Sequence, residues 1–256
     1  MTERGLPNSK FELLSRQLTK IGREFQSRGW VLGTSGNLSA VVSQDPFLLA
    51  ITGTGIDKSL LTRKDIVQVD SSGQSVTPED DAAVSRENRE DRASAGLESA
   101  PLRPSYEVLL HLAIVKNTPG LNSVMHTHSV WSTILSELHA SEGGIAIEGY
   151  EMLKGLQGVR THEHREWLPI VDNVQDMKEM AQAVEELLNH HPNAHGFLVR
   201  GHGLYTWGRT VAEAKRHVEI LEFLTEVTGR IQTIQGIARQ EGGRISSSTR
   251  ELENRP

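Results

Sequence analysis

Helical and extended patterns alternate along most of this 256-residue chain, and this alternation is the strongest constraint on its fold. Apolar residues recur at helical spacing over 10–28, which predicts an amphipathic helix ended by Gly29. Further helices are predicted at 106–116, 130–138, 148–157, 176–189 and from Val211 onward. Short apolar runs predict strands in "NLSAVV", "FLLAIT", "IVQVD", "SVMHTH" and "WLPIVD", and two more in "GFLVRGHGLYTWG". Together these elements predict a mixed α/β single domain.

Three stretches depart from this regular pattern. The strand pattern "WLPIVD" contains Pro169, whose nitrogen cannot donate to a neighbouring strand, so an edge position is predicted. The polar, acidic stretch 71–103 predicts an inserted loop, within which 82–92 could form one exposed helix. The last stretch, 236–256, predicts a flexible tail after a folded domain spanning 1–235.

Charge and cysteine content exclude several classes of protein. The formal net charge of -6, with seven acidic and three basic residues between 79 and 98, argues against general nucleic-acid binding. The chain has no long apolar run and its first residues lack a signal-peptide pattern, so a cytoplasmic protein without membrane contact is expected. Because there is no cysteine, any metal must be held by nitrogen and oxygen atoms, and eleven histidines are available.

Two histidines flank a single threonine where the strand pattern "SVMHTH" ends. Side chains two positions apart on a strand point to the same face, so His126 and His128 could bind one metal ion together. A catalytic metal with imidazole ligands usually has three protein groups, and His202 in "VRGHGLYTW" is the best third candidate. The rival pair His162 and His164 has the same spacing but lies among charged residues, which favours a solvated loop.

Two turns rich in small residues could bind an anion. In "LGTSGNLS" and "ITGTGID", glycines let backbone N–H groups point at one anion, and Thr34, Asn37 and Thr54 add side-chain donors. Either turn alone is more typical of a hairpin. Together with Ser105, which precedes a predicted helix whose dipole favours anions, they indicate a phosphate pocket.

Two carboxylates could act as acid or base beside such a site. Glu107 in "RPSYEVLLH" lies at the start of a predicted helix, where a carboxylate also complements the helix dipole. Glu151 in "EGYEMLKG", taken alone, is typical of a solvated helix residue.

The segments "GTSGNLS", "ITGTGID", "PSYEVLLH", "HTH" and "VRGHGLYTWG" occur in the order seen in the class II aldolase/adducin family, which the chain resembles over about 10–230. The resemblance implies a catalytic domain with a central, mainly antiparallel sheet flanked by helices. It also implies that His126, His128 and His202 bind one divalent metal ion per subunit, usually Zn²⁺. Family members usually form tetramers with sites near subunit boundaries, so a homotetramer is expected.

The same resemblance assigns the phosphate group of a sugar-phosphate substrate to six residues: Thr34, Gly36, Asn37, Thr54, Gly55 and Ser105. Sugar-phosphate aldolases of the family often have "SSE" where this chain has "SYE". Tyr106 therefore removes one hydroxyl and alters the pocket. The expected partner is a small phosphorylated sugar.

Within the family, "EMLKG" together with "EWLPIVDN" resembles the subgroup that dehydrates 5-methylthioribulose 1-phosphate to 2,3-diketo-5-methylthiopentyl 1-phosphate in methionine salvage. The glutamate of this motif is the catalytic acid/base of the subgroup. That role is implied for Glu151, with a pKa raised by partial burial. Glu107 is a second candidate base, and the sequence does not rank it against a metal-bound water for taking the C3 proton.

Two alternatives remain at the level of the sequence. One is a sugar-phosphate aldolase or pentulose-phosphate epimerase of the same family, against which the "EMLKG" motif argues. The other is a non-catalytic, adducin-like interaction domain. The complete histidine triad argues against it, because a scaffold does not need an open metal site.

Overall fold

The computed structural model describes residues 6–76 and 102–253, with side chains described over 9–76 and 102–238. Most of the predicted polar insertion, from 77 to 101, lies outside the described residues, and so does the exposed helix considered at 82–92. None of the helices in the described part of the chain combines the length and the apolar composition needed to cross a membrane.

Five α-helices and three short 3₁₀ helices form within the described ranges. The α-helices are α1 (Leu6–Ser27), α2 (Val108–Asn117), α3 (Val130–Leu138), α4 (Met177–His190) and α5 (Val211–Glu253). The 3₁₀ helices span Arg63–Asp65, Ala140–Glu142 and Glu151–Gly155. Ser129 and Asp176 cap α3 and α4, because their side chains accept hydrogen bonds from the first backbone N–H groups. The predicted helices are confirmed, although 148–157 contains only a 3₁₀ turn.

One sheet of eight strands lies between these helices, in the order β3-β2-β1-β4-β8-β7-β6-β5. The strands are β1 (Asn37–Gln44), β2 (Phe47–Thr52), β3 (Ile66–Val69), β4 (Ser123–Thr127), β5 (Gly144–Ile147), β6 (Glu166–Val171), β7 (Gly196–Val199) and β8 (Gly203–Gly208). Neighbouring strands are antiparallel except β6 and β7, which run parallel. The predicted central, mainly antiparallel sheet is therefore confirmed.

Helices cover both faces of the sheet. On one face, α2 and α4 bury side chains such as Leu110 and Val184 against Phe197 and Trp207 of the strands. On the other face, α1 covers one half, and α3, α5 and the Glu151–Gly155 turn cover the other half. Burial of apolar area in these two layers supplies the main driving force for the fold.

Strand β4 carries the H-x-H sequence into the middle of the sheet. Its side chains alternate, since Val124 packs in the α2 and α4 layer whereas Met125 packs under α1. His126 therefore points toward α2. Thr127 points to the opposite side, where its hydroxyl donates to a Glu222 carboxylate oxygen of α5.

The prediction that "WLPIVD" forms an edge strand is wrong. β6 lies between β5 and β7, and the edge is β5, which the sequence patterns do not predict. β6 pairs with β5 over 166–169 and with β7 only at Ile170 and Val171. The missing N–H of Pro169 thus falls where the pairing passes from one neighbour to the other, so neither ladder is interrupted.

Helix α5 extends into the predicted tail. Its backbone is helical to Glu253, whereas the sequence predicted a flexible segment from 236. No proline occurs between 211 and 253, so every backbone N–H can join the helical hydrogen-bond series. The flexibility of this segment stays a prediction.

Candidate active site

Three histidines from neighbouring strands converge at the end of β4. His126 lies in β4, His128 follows it, and His202 lies in the turn between β7 and β8. His202 Nε2 is 3.3 Å from His126 Nε2 and 3.0 Å from His128 Nε2. The structure thus brings together the three histidines that the sequence nominated as metal ligands.

A glycine makes this approach possible. A Cβ atom added at Gly203 would lie 2.0 Å from the carbonyl oxygen of Thr127 and 3.2 Å from the Cα of His128. Because any larger residue would collide with the backbone there, only glycine lets β8 begin so close to the end of β4. The glycine after His202 therefore helps to bring that imidazole against His128.

A carboxylate joins the histidine cluster. Glu107 precedes α2, and its oxygens lie 3.5 Å from His126 Nε2 and 3.5 Å from His202 Nε2. Asn37 donates from its amide nitrogen to Glu107 Oε2 at 2.6 Å. The Glu107 side chain is only 14% exposed, so this charge is held largely away from water.

A buried chain of hydrogen bonds orients Asn37. His111 of α2 contacts Asn37 Oδ1 through Nε2 and lies 2.7 Å from Ser39 Oγ through Nδ1. Burial lowers the pKa of His111 to about 4, so the ring is neutral at neutral pH. Since Asn37 Oδ1 can only accept, the proton sits on His111 Nε2, and Nδ1 accepts from the Ser39 hydroxyl. The Asn37 amide N–H groups are thereby aimed at Glu107.

The protonation states of the histidine cluster suit a metal ion. Burial, followed by the neighbouring His202 ring, holds the pKa of His126 well below its usual range. Burial and the two neighbouring imidazoles lower the pKa of His128 to about 2. Both rings are therefore neutral and carry a lone pair, which is the form in which imidazole binds metals.

The hydrogen bonding of this cluster is incomplete without a cation. His126 Nδ1 lies 2.9 Å from the carbonyl oxygen of Leu204, which places the proton on Nδ1 and the lone pair on Nε2. His202 Nε2 faces two other ring nitrogens, and one N–H cannot serve both. His202 Nδ1 is buried with no partner among the described residues. The three inward nitrogens and the Glu107 carboxylate, with ligand atoms within 4.8 Å of one another, can hold one metal ion.

The six residues nominated for phosphate binding line one pocket of about 290 Å³ that also contains Glu107, His128 and His202. The six are Thr34, Gly36, Asn37, Thr54, Gly55 and Ser105. Gly36 has a φ of 69°, and a Cβ there would lie 2.8 Å from the His126 carbonyl oxygen. The first turn therefore lies directly against the end of β4, which joins the two nominated sites into one.

Glu151 lies elsewhere in the chain. Its side chain is 70% exposed and contacts the Lys154 ammonium and, at 3.4 Å, His162 Nδ1. The adjacent Leu153 and Leu156 pack in the α5 layer, on the sheet face opposite α2. Within the described chain, Glu151 is not among the residues that line the pocket. The Lys154 ammonium holds the pKa of Glu151 below its usual range, so the expected rise by partial burial is wrong for the single chain.

The rival pair of histidines is divided between two places. His162 is exposed beside Glu151, as expected for a solvated loop. His164 Nε2 instead lies 2.8 Å from Glu166 Oε2, and His195 Nδ1 lies 2.9 Å from the same oxygen. His164 thus lies in a loop with its side chain 34% exposed, and it also belongs to a second cluster.

Several polar residues around the site were not singled out in the sequence. His111 and Ser39 are 72 positions apart, so no local motif connects them. A signal was nevertheless present, because His111 is the one polar residue in the otherwise apolar run "VLLHLAIV". Lys58 and Glu222 are likewise buried polar residues that local patterns do not distinguish from surface residues.

Comparisons with known proteins place this site in a family. The family model described as the class II aldolase and adducin N-terminal domain matches residues 16–228. A methylthioribulose-1-phosphate dehydratase from Methylococcus capsulatus is 36% identical over 228 residues, which cover 89% of this chain and 98% of the relative. One from Xanthomonas campestris pv. campestris is 41% identical over 202 residues, which cover 79% and 82%.

A solved structure, that of an L-fuculose-1-phosphate aldolase from Thermus thermophilus, has the same fold. Its TM-score is 0.63 at 20% identity, with 88% of this chain and 98% of that chain covered. The family match includes the strands that carry the histidine cluster and the turns that line the pocket. The chain therefore belongs to the class II aldolase and adducin family.

Proposed function

We propose that this protein dehydrates 5-methylthioribulose 1-phosphate to 2,3-diketo-5-methylthiopentyl 1-phosphate, a step of methionine salvage. One observation carries the proposal: the two glycine-rich turns line a single pocket together with Glu107, His128 and His202 of the histidine–glutamate cluster. Relatives that are 36% and 41% identical carry the name methylthioribulose-1-phosphate dehydratase. The sequence "EMLKG", which resembles that subgroup, favours dehydration over aldol cleavage.

The reaction requires three changes in the sugar. The C3 proton leaves, the C4–O bond breaks as the departing hydroxyl takes a proton to become water, and the resulting enol returns to a ketone. His126, His128 and His202 would hold the metal, Zn²⁺ in this proposal, with one ion per subunit. A bound ion would supply Lewis-acid polarisation of the substrate carbonyl.

Glu107 is the proposed base for the C3 proton. Its oxygens lie 3.5 Å from the Nε2 atoms of His126 and His202, and its Oε2 already accepts a hydrogen bond from Asn37. The Ser39, His111 and Asn37 chain fixes the carboxylate, so little reorganisation is needed when the proton arrives. Glu107 is therefore positioned to move a proton without taking the place of a histidine ligand.

The two turns are proposed to bind the phosphate away from the bonds that change. Backbone N–H groups around Gly36 and Gly55, with the hydroxyls of Thr34, Thr54 and Ser105, supply the donors. Binding energy gained at the phosphate can fix the orientation of C3 and C4. Loosening the turns should therefore lower turnover as well as affinity.

Glu151 is the proposed acid for the C4 hydroxyl, supplied across a subunit boundary of a homotetramer. Its place on the sheet face opposite α2 argues against action within the same chain. Val130, Ile134 and Leu138 form an exposed apolar stripe on α3, directly after the histidine pair, which favours a subunit contact beside the site. At such a boundary the carboxyl would lose water, and its pKa would rise toward neutrality. The expected cytoplasmic location belongs to the same proposal.

Product analysis tests the proposed reaction. The purified, zinc-loaded protein is incubated with 5-methylthioribulose 1-phosphate, and the products are followed by phosphorus and proton NMR. A diketo phosphate that retains its methylthio group is expected. Dihydroxyacetone phosphate together with a methylthio aldehyde would instead show retro-aldol cleavage and overturn the proposal.

Mixed tetramers test the origin of the acid. Glu151→Gln alone should keep its metal and lose turnover by about 10²–10⁴-fold. When Glu151→Gln and His126→Ala chains are co-expressed, about one quarter of the sites should combine an intact triad with an intact Glu151. Recovered activity near that fraction supports a shared site. Mixed tetramers as inactive as either parent would place the acid in the same chain as the triad.

A further inference from the structure

Lys58 is a buried cation that the proposed reaction leaves without a role. Its side chain is 1% exposed, and it follows directly on the second anion-binding turn, "ITGTGID". The ammonium nitrogen lies 3.0 Å from the carbonyl oxygen of Ile56 and 3.4 Å from that of Thr34. The Ile56 carbonyl belongs to the second turn and the Thr34 carbonyl to the first, so the Lys58 side chain joins two turns that are distant in sequence.

No carboxylate in the described chain lies within ion-pair distance of this ammonium. Asp57 and Asp65 act on it only at longer range, because their carboxylates bond Ser59 and Thr62 instead. Burial lowers the pKa of Lys58 to about 8. A buried charge that is compensated only by carbonyl oxygens is unfavourable unless an anion completes it.

The pocket in front of the two turns has no cationic side chain among its lining residues. Its lining, within the described residues, includes the Glu107 carboxylate but no lysine and no arginine. Apart from the proposed metal ion at the histidines, a phosphate dianion placed at the turns would meet a negative neighbour and neutral donors. A positive charge close behind the turns would supply the missing compensation.

We infer that Lys58 is a positioning residue for the phosphate subsite: it holds the two turns together and supplies, from behind them, the charge that a phosphate dianion requires. The inference rests on the proposed phosphate pocket and deepens it. It does not depend on which bond of the sugar is broken. It assigns the recognition of a dianionic ester to a residue that does not line the pocket.

Anion binding by the metal-loaded protein tests this role without turnover. Lys58→Met retains the apolar stem and removes the charge, whereas Lys64→Met removes an exposed lysine of the neighbouring 3₁₀ turn and is the matched control. Calorimetry with inorganic phosphate should show binding weakened by about tenfold or more in Lys58→Met and by less than about twofold in Lys64→Met. A folded Lys58→Met protein with unchanged phosphate affinity would overturn the inference.

A second measurement on the unaltered protein decides the matter if Lys58→Met does not fold. Sulfate, whose own charge is constant, should bind progressively more weakly from about pH 7 to about pH 9, with proton uptake near pH 8, as Lys58 deprotonates. The other charged or titratable groups around Lys58 are Asp57, Asp65, Arg23 and the rings of His126 and His128. The pKa values of Asp57, His126 and His128 are lowered, so these groups do not titrate in this interval.

The same sulfate titration on His126→Ala, which should lack the metal, separates Lys58 from any ionisation at the metal. A sulfate affinity that does not change with pH, with no proton uptake on binding, would refute the inference. If phosphate binding depends on Lys58 but the NMR experiment shows no diketo product, the proposed reaction fails and the role of Lys58 stands. If the diketo product forms but phosphate affinity does not depend on Lys58, the proposed reaction stands and the inferred role of Lys58 fails.

Discussion

Two clusters of histidine and glutamate lie within the described residues, and in each the ligand atoms are within 4.8 Å of one another. In the cluster of His126, His128, His202 and Glu107, ring nitrogens face ring nitrogens, and His202 Nδ1 has no partner among the described residues. These groups cannot satisfy one another, because a neutral imidazole has one proton to donate.

The cluster of His164, Glu166 and His195 is closed by its own hydrogen bonds. Glu166 Oε2 accepts from both rings, Oε1 accepts the backbone N–H of His195, and His195 Nε2 donates to the carbonyl oxygen of Gln157. Burial alone would lower the pKa of His195, but the Glu166 carboxylate outweighs it and raises that pKa. The cluster is therefore a buried ion pair that needs no cation. The ligand atoms are equally close in the two clusters, so the difference lies in whether donors and acceptors match.

The largest expected difference between the clusters is in metal content. His126→Ala or His202→Ala should remove most of the bound metal and reduce activity on the order of 10³-fold or more, because the Lewis acid is lost. His164→Ala, the matched change in the closed cluster, should keep both. Elemental analysis of the purified variants measures this. A fully metallated His126→Ala protein would contradict the ligand assignment, and metal loss in His164→Ala would show a second metal site.

For the stability of the fold, the closed cluster should matter more than the open cluster. Glu166→Gln leaves the buried imidazolium of His195 without its counter-charge and should destabilise the protein by about 3 kcal/mol, as expected for half of a buried pair. Glu163→Gln, an exposed change in the same segment, should have little effect. Urea unfolding at fixed protein concentration gives both values. Equal stabilities for the two variants would mean that the closed cluster contributes nothing measurable.

The smallest expected effect is a pH dependence of that stabilisation. The pKa of His195 is raised above its ordinary 6.5. The contribution of His195 to stability is therefore complete below pH 6.5 and is lost as the pH rises through the pKa that His195 has in the folded protein. The pKa of Glu166 is lowered from 4.5, because its bonds to His195 and His164 outweigh its burial. Its contribution is complete above pH 4.5 and is lost in acid. The melting-temperature gap between the natural protein and Glu166→Gln should thus be widest between these values and shrink toward pH 9. A constant gap would show that the pair acts without its charges.

Local patterns predicted most of the elements and nominated the candidate metal ligands, but they missed β5. His126 and His128 share a strand, and the two glycine-rich turns are contiguous sequences, so their alignment on one face follows from short-range geometry. The edge position of β6 was mispredicted because it depends on β5, a four-residue strand with no distinctive pattern. Strand order is a tertiary property that a single proline does not decide.

The residues that could not be predicted are those whose role depends on distant partners. Asn37 reads as part of a turn, yet it also orients Glu107, which is 70 positions away. Lys58 reads as a surface lysine, yet it is 1% exposed, and a Cβ atom added at Gly22 of α1 would lie 3.9 Å from its Cδ atom. Glu151 shows the reverse case, since the motif around it predicts a role but the single chain leaves its carboxylate in solvent.

The order of synthesis gives the position of β4 a further meaning. β4 lies between β1 and β8, and β8 begins at Gly203, long after β4 ends at Thr127. At roughly 5–20 residues per second, a ribosome needs several seconds to make the intervening chain. During that time the growing chain offers only two of the three imidazoles proposed as metal ligands. Loading of the proposed metal would therefore wait until the β7–β8 hairpin has emerged and paired with β4.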